Sequence, residues 1–94
     1  MAKLGGKVVS ISESGDLVTD VLVSDLASAP RDENLKIECE GHTTQGLFPA
    51  EHGQPEMTFI AFENESGHVQ ISIVGGDTSG FLGIKAGAKV AINW

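Results

Sequence analysis

A single cysteine, Cys39, excludes an internal disulfide. Basic residues are scarce: six lysines and arginines stand against 13 acids, for a net charge of −7. A surface that acidic repels phosphate backbones and anionic lipids, so neither nucleic acid nor membrane is an expected partner. Solubility is the simplest use of the charge. No apolar run approaches the ~20 residues needed to cross a bilayer. The first residues, Met1-Ala2-Lys3-Leu4-Gly5-Gly6-Lys7, contain no apolar h-region, so no signal peptide is expected and the expected location is the cytoplasm. Asn64-Glu65-Ser66 then reads as a chance glycosylation sequon. Tight Cys/His pairs are missing too. Cys39, His42, His52 and His68 are scattered, whereas zinc sites need several ligands at paired spacings. Cys39 therefore reads as a small buried hydrophobe, and no metal is expected. No histidine stands at a spacing that suggests a nucleophilic relay with Thr43, Thr44 or the serines.

What is present describes one β domain. Ninety-four residues hold a single domain over 1–94, small enough that self-association would help its stability. Twelve glycines against three prolines point to many tight turns. The apolar period is mostly two, the signature of strands. Lys7 to Ser12 reads as a first strand and Leu17 to Val23 as a second, with Glu13-Ser14-Gly15 turning between them. Ser24-Asp25-Leu26-Ala27 reads as a short helical turn capped by Ser24 or Asp25. Leu35, Ile37 and Cys39 alternate with Lys36, Glu38 and Glu40, a half-buried strand with His42 to Phe48 as its hairpin partner. Pro49 to Pro55 is a loop. Met57 to Glu63 is apolar on both faces, which places it centrally in the sheet. Val69, Ile71 and Ile73 alternate with Gln70 and Ser72 in the next strand. Phe81-Leu82 lies in a helix-like turn, Lys85-Ala86-Gly87 in a turn, and Lys89 to Trp94 in a last strand. Strands joined by short turns, with at most one or two helical turns, make an all-β barrel or sandwich.

Two segments carry more. Ser14-Gly15-Asp16-Leu17-Val18-Thr19-Asp20 is one, and Asn64-Glu65-Ser66-Gly67 through Gly75-Gly76-Asp77-Thr78-Ser79-Gly80-Phe81-Leu82-Gly83-Ile84 is the other. In this order and spacing, from Gly6 to Ile92, they resemble the C-terminal β-domain of the S-adenosylmethionine hydroxide adenosyltransferases and of the related fluorinases and chlorinases. The resemblance implies a small antiparallel β-barrel. It also implies that the family's catalytic N-terminal α/β domain lies outside this chain, so that the chain is not expected to be an enzyme on its own and carries no catalytic residue.

The same resemblance nominates ligand-contacting positions. Asp16 and Asp20 stand where the family pattern has asparagines, the first of which recognises adenine. An amide presents a donor and an acceptor to an adenine edge, whereas a carboxylate only accepts. The plain reading of Asp16 is a cap on the turn before the second strand. A carboxylate pair of Asp16 and Asp20 is rejected, because four residues along a strand span roughly 13 Å. Asn64, Glu65 and Ser66 match a loop that meets the amino-acid end of S-adenosylmethionine, with Glu65 where the family commonly has serine. Gly75, Gly76 and Asp77 match a segment whose backbone meets adenine, with Gly75 in place of arginine. The plain readings are a hairpin turn and a capped turn. Phe48 matches an aromatic position suited to stacking on a purine, or to core packing.

These departures favour a structural module over a retained ligand site. The expected function is subunit assembly or partner interaction, through a homo-oligomer such as a trimer or a separately encoded α/β protein. The alternative is a module that binds S-adenosylmethionine, adenosine or a related nucleoside and completes an active site with such a partner.

Overall fold

The computed structural model describes residues 2–94. Seven strands follow one another: β1 Lys3–Ile11, β2 Leu17–Leu22, β3 Lys36–Cys39, β4 His42–Gln45, β5 Phe59–Glu63, β6 His68–Ile73 and β7 Lys89–Asn93. One short helix, α1 (Thr78–Leu82), and one 3₁₀ turn (Val23–Leu26) interrupt them. The strands form one antiparallel sheet in the order β4-β3-β7-β1-β2-β6-β5. The sheet curls into a nearly closed barrel, the all-β architecture expected. Among the described residues no helix is long and apolar enough to cross a membrane.

The first strand starts earlier than its apolar pattern suggests, because it serves two neighbours in turn. Lys3 to Lys7 pair with β7, and Val8 to Ile11 pair with β2, with a register shift between Val8 and Ser10. The bend falls beside Gly6. A Cβ there would lie 2.5 Å from Val21 Cγ2 and 2.6 Å from Asp20 Oδ1, so only glycine lets β2 cross this closely.

Period-two burial holds on β3, where Leu35, Ile37 and Cys39 are buried and Lys36 and Glu38 exposed. Ile37 lies opposite Ile92 and Cys39 opposite Val90, so β3 and β7 close one side of the core. Each such side chain contributes about 1.5–3 kcal/mol by burial. The Cys39 thiol is pushed up from its ordinary pKa by burial and then by the neighbouring Glu40 carboxylate.

Three expectations are corrected. The strand read as central, β5, ends the ladder. Its outer edge is covered instead by the segment after β4: Phe48 N–H donates to Ala61 O at 3.0 Å, Glu63 N–H donates to Phe48 O at 2.8 Å, and Thr44 Oγ1 donates to Phe59 O at 2.9 Å. The apolar character of both faces reflects this closure and the packing of His52 on Phe62, whose ring centroids are 5.3 Å apart. The 3₁₀ turn begins from Leu22 with no side-chain cap, so neither Ser24 nor Asp25 caps it. On β6, Ser72 is buried while Ile73 is only half-buried, against the expected alternation.

Candidate functional site

The turn between β1 and β2 is closed by Ser12, not by Asp16. Ser12 Oγ accepts from Asp16 N–H at 3.0 Å, Ser12 N–H donates to Asp16 O at 2.9 Å, and Gly15 N–H donates to Ser12 O at 2.9 Å. The Asp16 side chain is thereby freed to reach across the sheet. Its Oδ1 accepts from Ser72 Oγ at 2.8 Å and Thr78 Oγ1 at 3.2 Å, and its Oδ2 accepts from Gln70 Nε2 at 3.1 Å. Only 9% of Asp16 is exposed. Three neutral donors satisfy this carboxylate, as a buried charge requires. Among the described residues no cation reaches it, and the one ion pair is Arg31–Glu63, 3.4 Å and half-exposed, a type that contributes little.

Helix α1 is locked to the same turn. Asp77 is its N-cap, and Oδ1 accepts from Gly80 N–H at 3.1 Å. Ser79 N–H donates to Gly15 O at 2.9 Å. Gly15 has φ of +93°, and a Cβ there would collide with Asp77 Oδ1. Thr78 Oγ1 accepts from Ile73 N–H at 2.7 Å while donating to Asp16, so one hydroxyl joins β6, α1 and the turn.

The chain of amides continues outward. Asn64 Oδ1 accepts from Ser66 N–H and His68 N–H, both at 3.0 Å, which sets the β5–β6 hairpin. Asn64 Nδ2 donates to Gln70 Oε1 at 3.2 Å. Beside this pair lies a shallow cleft of about 470 Å³, lined by Val18, Phe62, Asn64, Glu65, Ser66 and Gln70, with Ala50 at its rim.

The nominated residues thus fall into separate groups. Asp16, Asn64 and Asp77 belong to one connected region through Gln70, Thr78 and Gly15, and Glu65 and Ser66 stand exposed at the cleft. Asp20 lies apart: it is exposed, and its Oδ1 accepts from Lys7 N–H at 2.9 Å at the bend of β1. Phe48 sits in the barrel closure and lines a different groove with Thr44, Thr58 and Ile60. Gly75, at φ of +74°, turns beside Glu56, and Gly76 lies under the Phe81 ring. Phe81 and Met57 flank this Gly75-Gly76 turn: Met57 N–H donates to Val74 O at 2.7 Å, and a Cβ on Gly76 would stand 3.1 Å from the Phe81 ring. They are the most exposed large apolar side chains, at 64% for Phe81 and 61% for Met57. Met57 also holds φ of +68°, a left-handed backbone that a non-glycine residue keeps at a cost of about 1–2 kcal/mol.

Gln70, Ser72 and Thr78 complete the Asp16 network and were not nominated from the sequence. Ser72 and Gln70 occupy the polar positions of an alternating strand, and alternation alone does not say which outer positions another element covers.

The fold recurs in solved structures. An uncharacterized conserved protein from Thermotoga maritima matches 98% of this chain with a TM-score of 0.81 at 19% identity. A conserved hypothetical protein from Thermus thermophilus matches 95% with a TM-score of 0.71 at 17% identity. The chain spans 36% and 32% of those two chains, about a third of each. At these identities the likeness is one of fold. No protein-family profile matches the chain, and no curated protein sequence does.

Proposed function

We propose that this barrel is a non-catalytic interaction module, related to the C-terminal domain of the S-adenosylmethionine hydroxide adenosyltransferases, that works in the cytoplasm by packing against other protein. The observation that carries the reading is the pair Phe81 and Met57, exposed side by side at the Gly75-Gly76 turn, one of them on left-handed backbone. Exposed apolar side chains grouped at one turn mark interaction surfaces, and retained backbone strain accompanies them at functional sites. The Asp16 carboxylate supports the same reading from the other side. Its hydrogen bonds are made within the chain, so the position that the resemblance assigns to adenine serves the fold. The occupant is a second copy of the chain or a separately encoded α/β protein. Light scattering should give a mass well above 9.8 kDa for the chain alone or with a co-expressed partner. The double variant Phe81→Ser, Met57→Ser should shift that mass toward the monomer. A wild-type monomer that captures no α/β protein would count against the reading.

A second reading has its own support. Hydrogen bonds draw the 12–16 turn, the 64–67 hairpin and the 75–79 turn toward one another, which is where a nucleoside or S-adenosylmethionine would contact a barrel of that family. An NMR titration with S-adenosylmethionine and with adenosine tests it. Shifts clustered at these three segments favour a ligand module, and none at millimolar ligand leaves the interaction module.

A further inference from the structure

Charge on this barrel is sorted by face. From Ile37 to Ile84 the sequence has no lysine or arginine. Lys3, Lys7, Lys36 and Lys89 are exposed on one outer face: Lys7 pairs with Lys89 across β1 and β7, and Lys3 and Lys36 flank Asn93. The opposite outer face, on β2, β6 and β5, contains the cleft beside Phe62. The cation beside that face, Arg31, is already paired with Glu63. Glu51, Glu56 and Glu65 are exposed on its loops.

The cleft also has a fixed hydrogen-bond polarity. A carboxylate accepts only, so Asp16 fixes Gln70 with Nε2 inward and Oε1 toward Asn64 and the cleft. Asn64 cannot turn the other way, because its Oδ1 holds two backbone N–H groups. Gln70 Oε1 keeps one lone pair unused, and the exposed Glu65 carboxylate and Ser66 Oγ stand at the same cleft. The aromatic ring of Phe62 forms its wall, and Val18 adds apolar surface.

Acceptors beside an aromatic wall on a negative face suit a planar cation with several donors. A guanidinium matches that description better than an ammonium, since it is flat, stacks on rings and spreads its five N–H groups. We propose that this cleft takes an arginine side chain from a basic segment of the partner protein, and that Asp16 is a positioning residue for it through Gln70. The proposal rests on the interaction-module reading and names the chemistry of the partner. Charge of −7 on this chain steers a basic segment toward it over distances of about a Debye length.

The test uses the whole chain and three capped tripeptides, with arginine, lysine or citrulline at the centre, followed by amide-correlation NMR. Citrulline keeps the planar shape and removes the charge. Arginine should shift residues 62–70 in a saturable way, lysine should bind several-fold more weakly, and citrulline should leave the spectrum unchanged. Glu65→Gln should weaken arginine binding several-fold. Asp16→Asn, which lets Gln70 turn round, should weaken it as well, while Glu13→Gln on a distant turn should not. Arginine shifts spread evenly over Glu13, Asp25 and Glu33, or unaffected by Glu65→Gln, would overturn the proposal. Absent shifts in a chain that still associates through Phe81 and Met57 would overturn the cleft and leave the interaction reading standing. Saturable arginine binding by a chain that stays monomeric would uphold the cleft and count against self-assembly.

Discussion

The turns Glu13-Ser14-Gly15-Asp16 and Asn64-Glu65-Ser66-Gly67 look alike in sequence: each joins two antiparallel strands, and each combines a glycine with an Asx residue. Their Asx side chains do opposite things. Asn64 serves its own turn, accepting from residues two and four positions ahead. Asp16 leaves its turn to Ser12 and reaches residues 54, 56 and 62 positions away. One turn joins distant elements and the other is a local loop at a solvent-open cleft. The same turn chemistry is therefore compatible with either role, and long-range partners decide between them.

The largest expected effect breaks the first turn. Asp16→Ala removes one acceptor for three donors and leaves the buried Ser72 and Thr78 hydroxyls without it. A buried donor left unsatisfied costs about 1–3 kcal/mol, and here a charged acceptor is lost. The variant should lose about 3 kcal/mol in urea unfolding, with an unchanged m-value. Asn64→Ala, which strands two backbone N–H groups of a half-exposed hairpin, should lose only about 1 kcal/mol. Equal losses in the two variants would erase the distinction between the turns.

That distinction was only half legible in the sequence. Period-two burial made β2, β3, β6 and β7 readable, because a strand with one buried face writes that face into every second residue. Asp77 sits before a short helix, where capping chemistry puts it. The sequence misled at β5, whose apolar outer face is covered by the return of Phe48 and by His52, contacts that depend on barrel closure. It also gave no sign that Ser72 is buried, since a serine at an outward position signals solvent unless a distant carboxylate claims it. Asp20 carries the same side chain as Asp16 four residues on, yet it meets only the Lys7 backbone at the bend of β1. Local pattern cannot separate these two aspartates, because their partners lie on other strands.

A pair of glycine substitutions sharpens the comparison further. Gly15 and Gly67 both hold positive φ, +93° and +79°. Alanine at either should cost about 1–2 kcal/mol for the left-handed backbone. At Gly67 nothing lies within 4 Å of the added Cβ, so that is the whole effect. At Gly15 the Cβ collides with the carboxylate of Asp77, the cap of α1. Gly15→Ala should therefore exceed Gly67→Ala by about 1 kcal/mol, the usual worth of a cap, and the excess should vanish in an Asp77→Ala background. An excess that survives Asp77→Ala would mean that the helix is not what the first turn rests on.

The smallest expected effect on stability belongs to the region that neither turn holds. Met57 combines left-handed backbone with a mostly exposed side chain. Met57→Gly relieves the backbone cost but gives the unfolded chain more freedom to lose. These terms oppose each other, so the stability should change by less than about 1 kcal/mol. Association measured by light scattering should fall at the same time, because the exposed thioether is gone. A residue whose removal leaves the fold in place but weakens assembly is held in its strained conformation for a surface contact. If association is unchanged while stability rises, the left-handed turn at Met57 is only a way of connecting the 49–55 loop to β5, and Phe81 carries the contact alone.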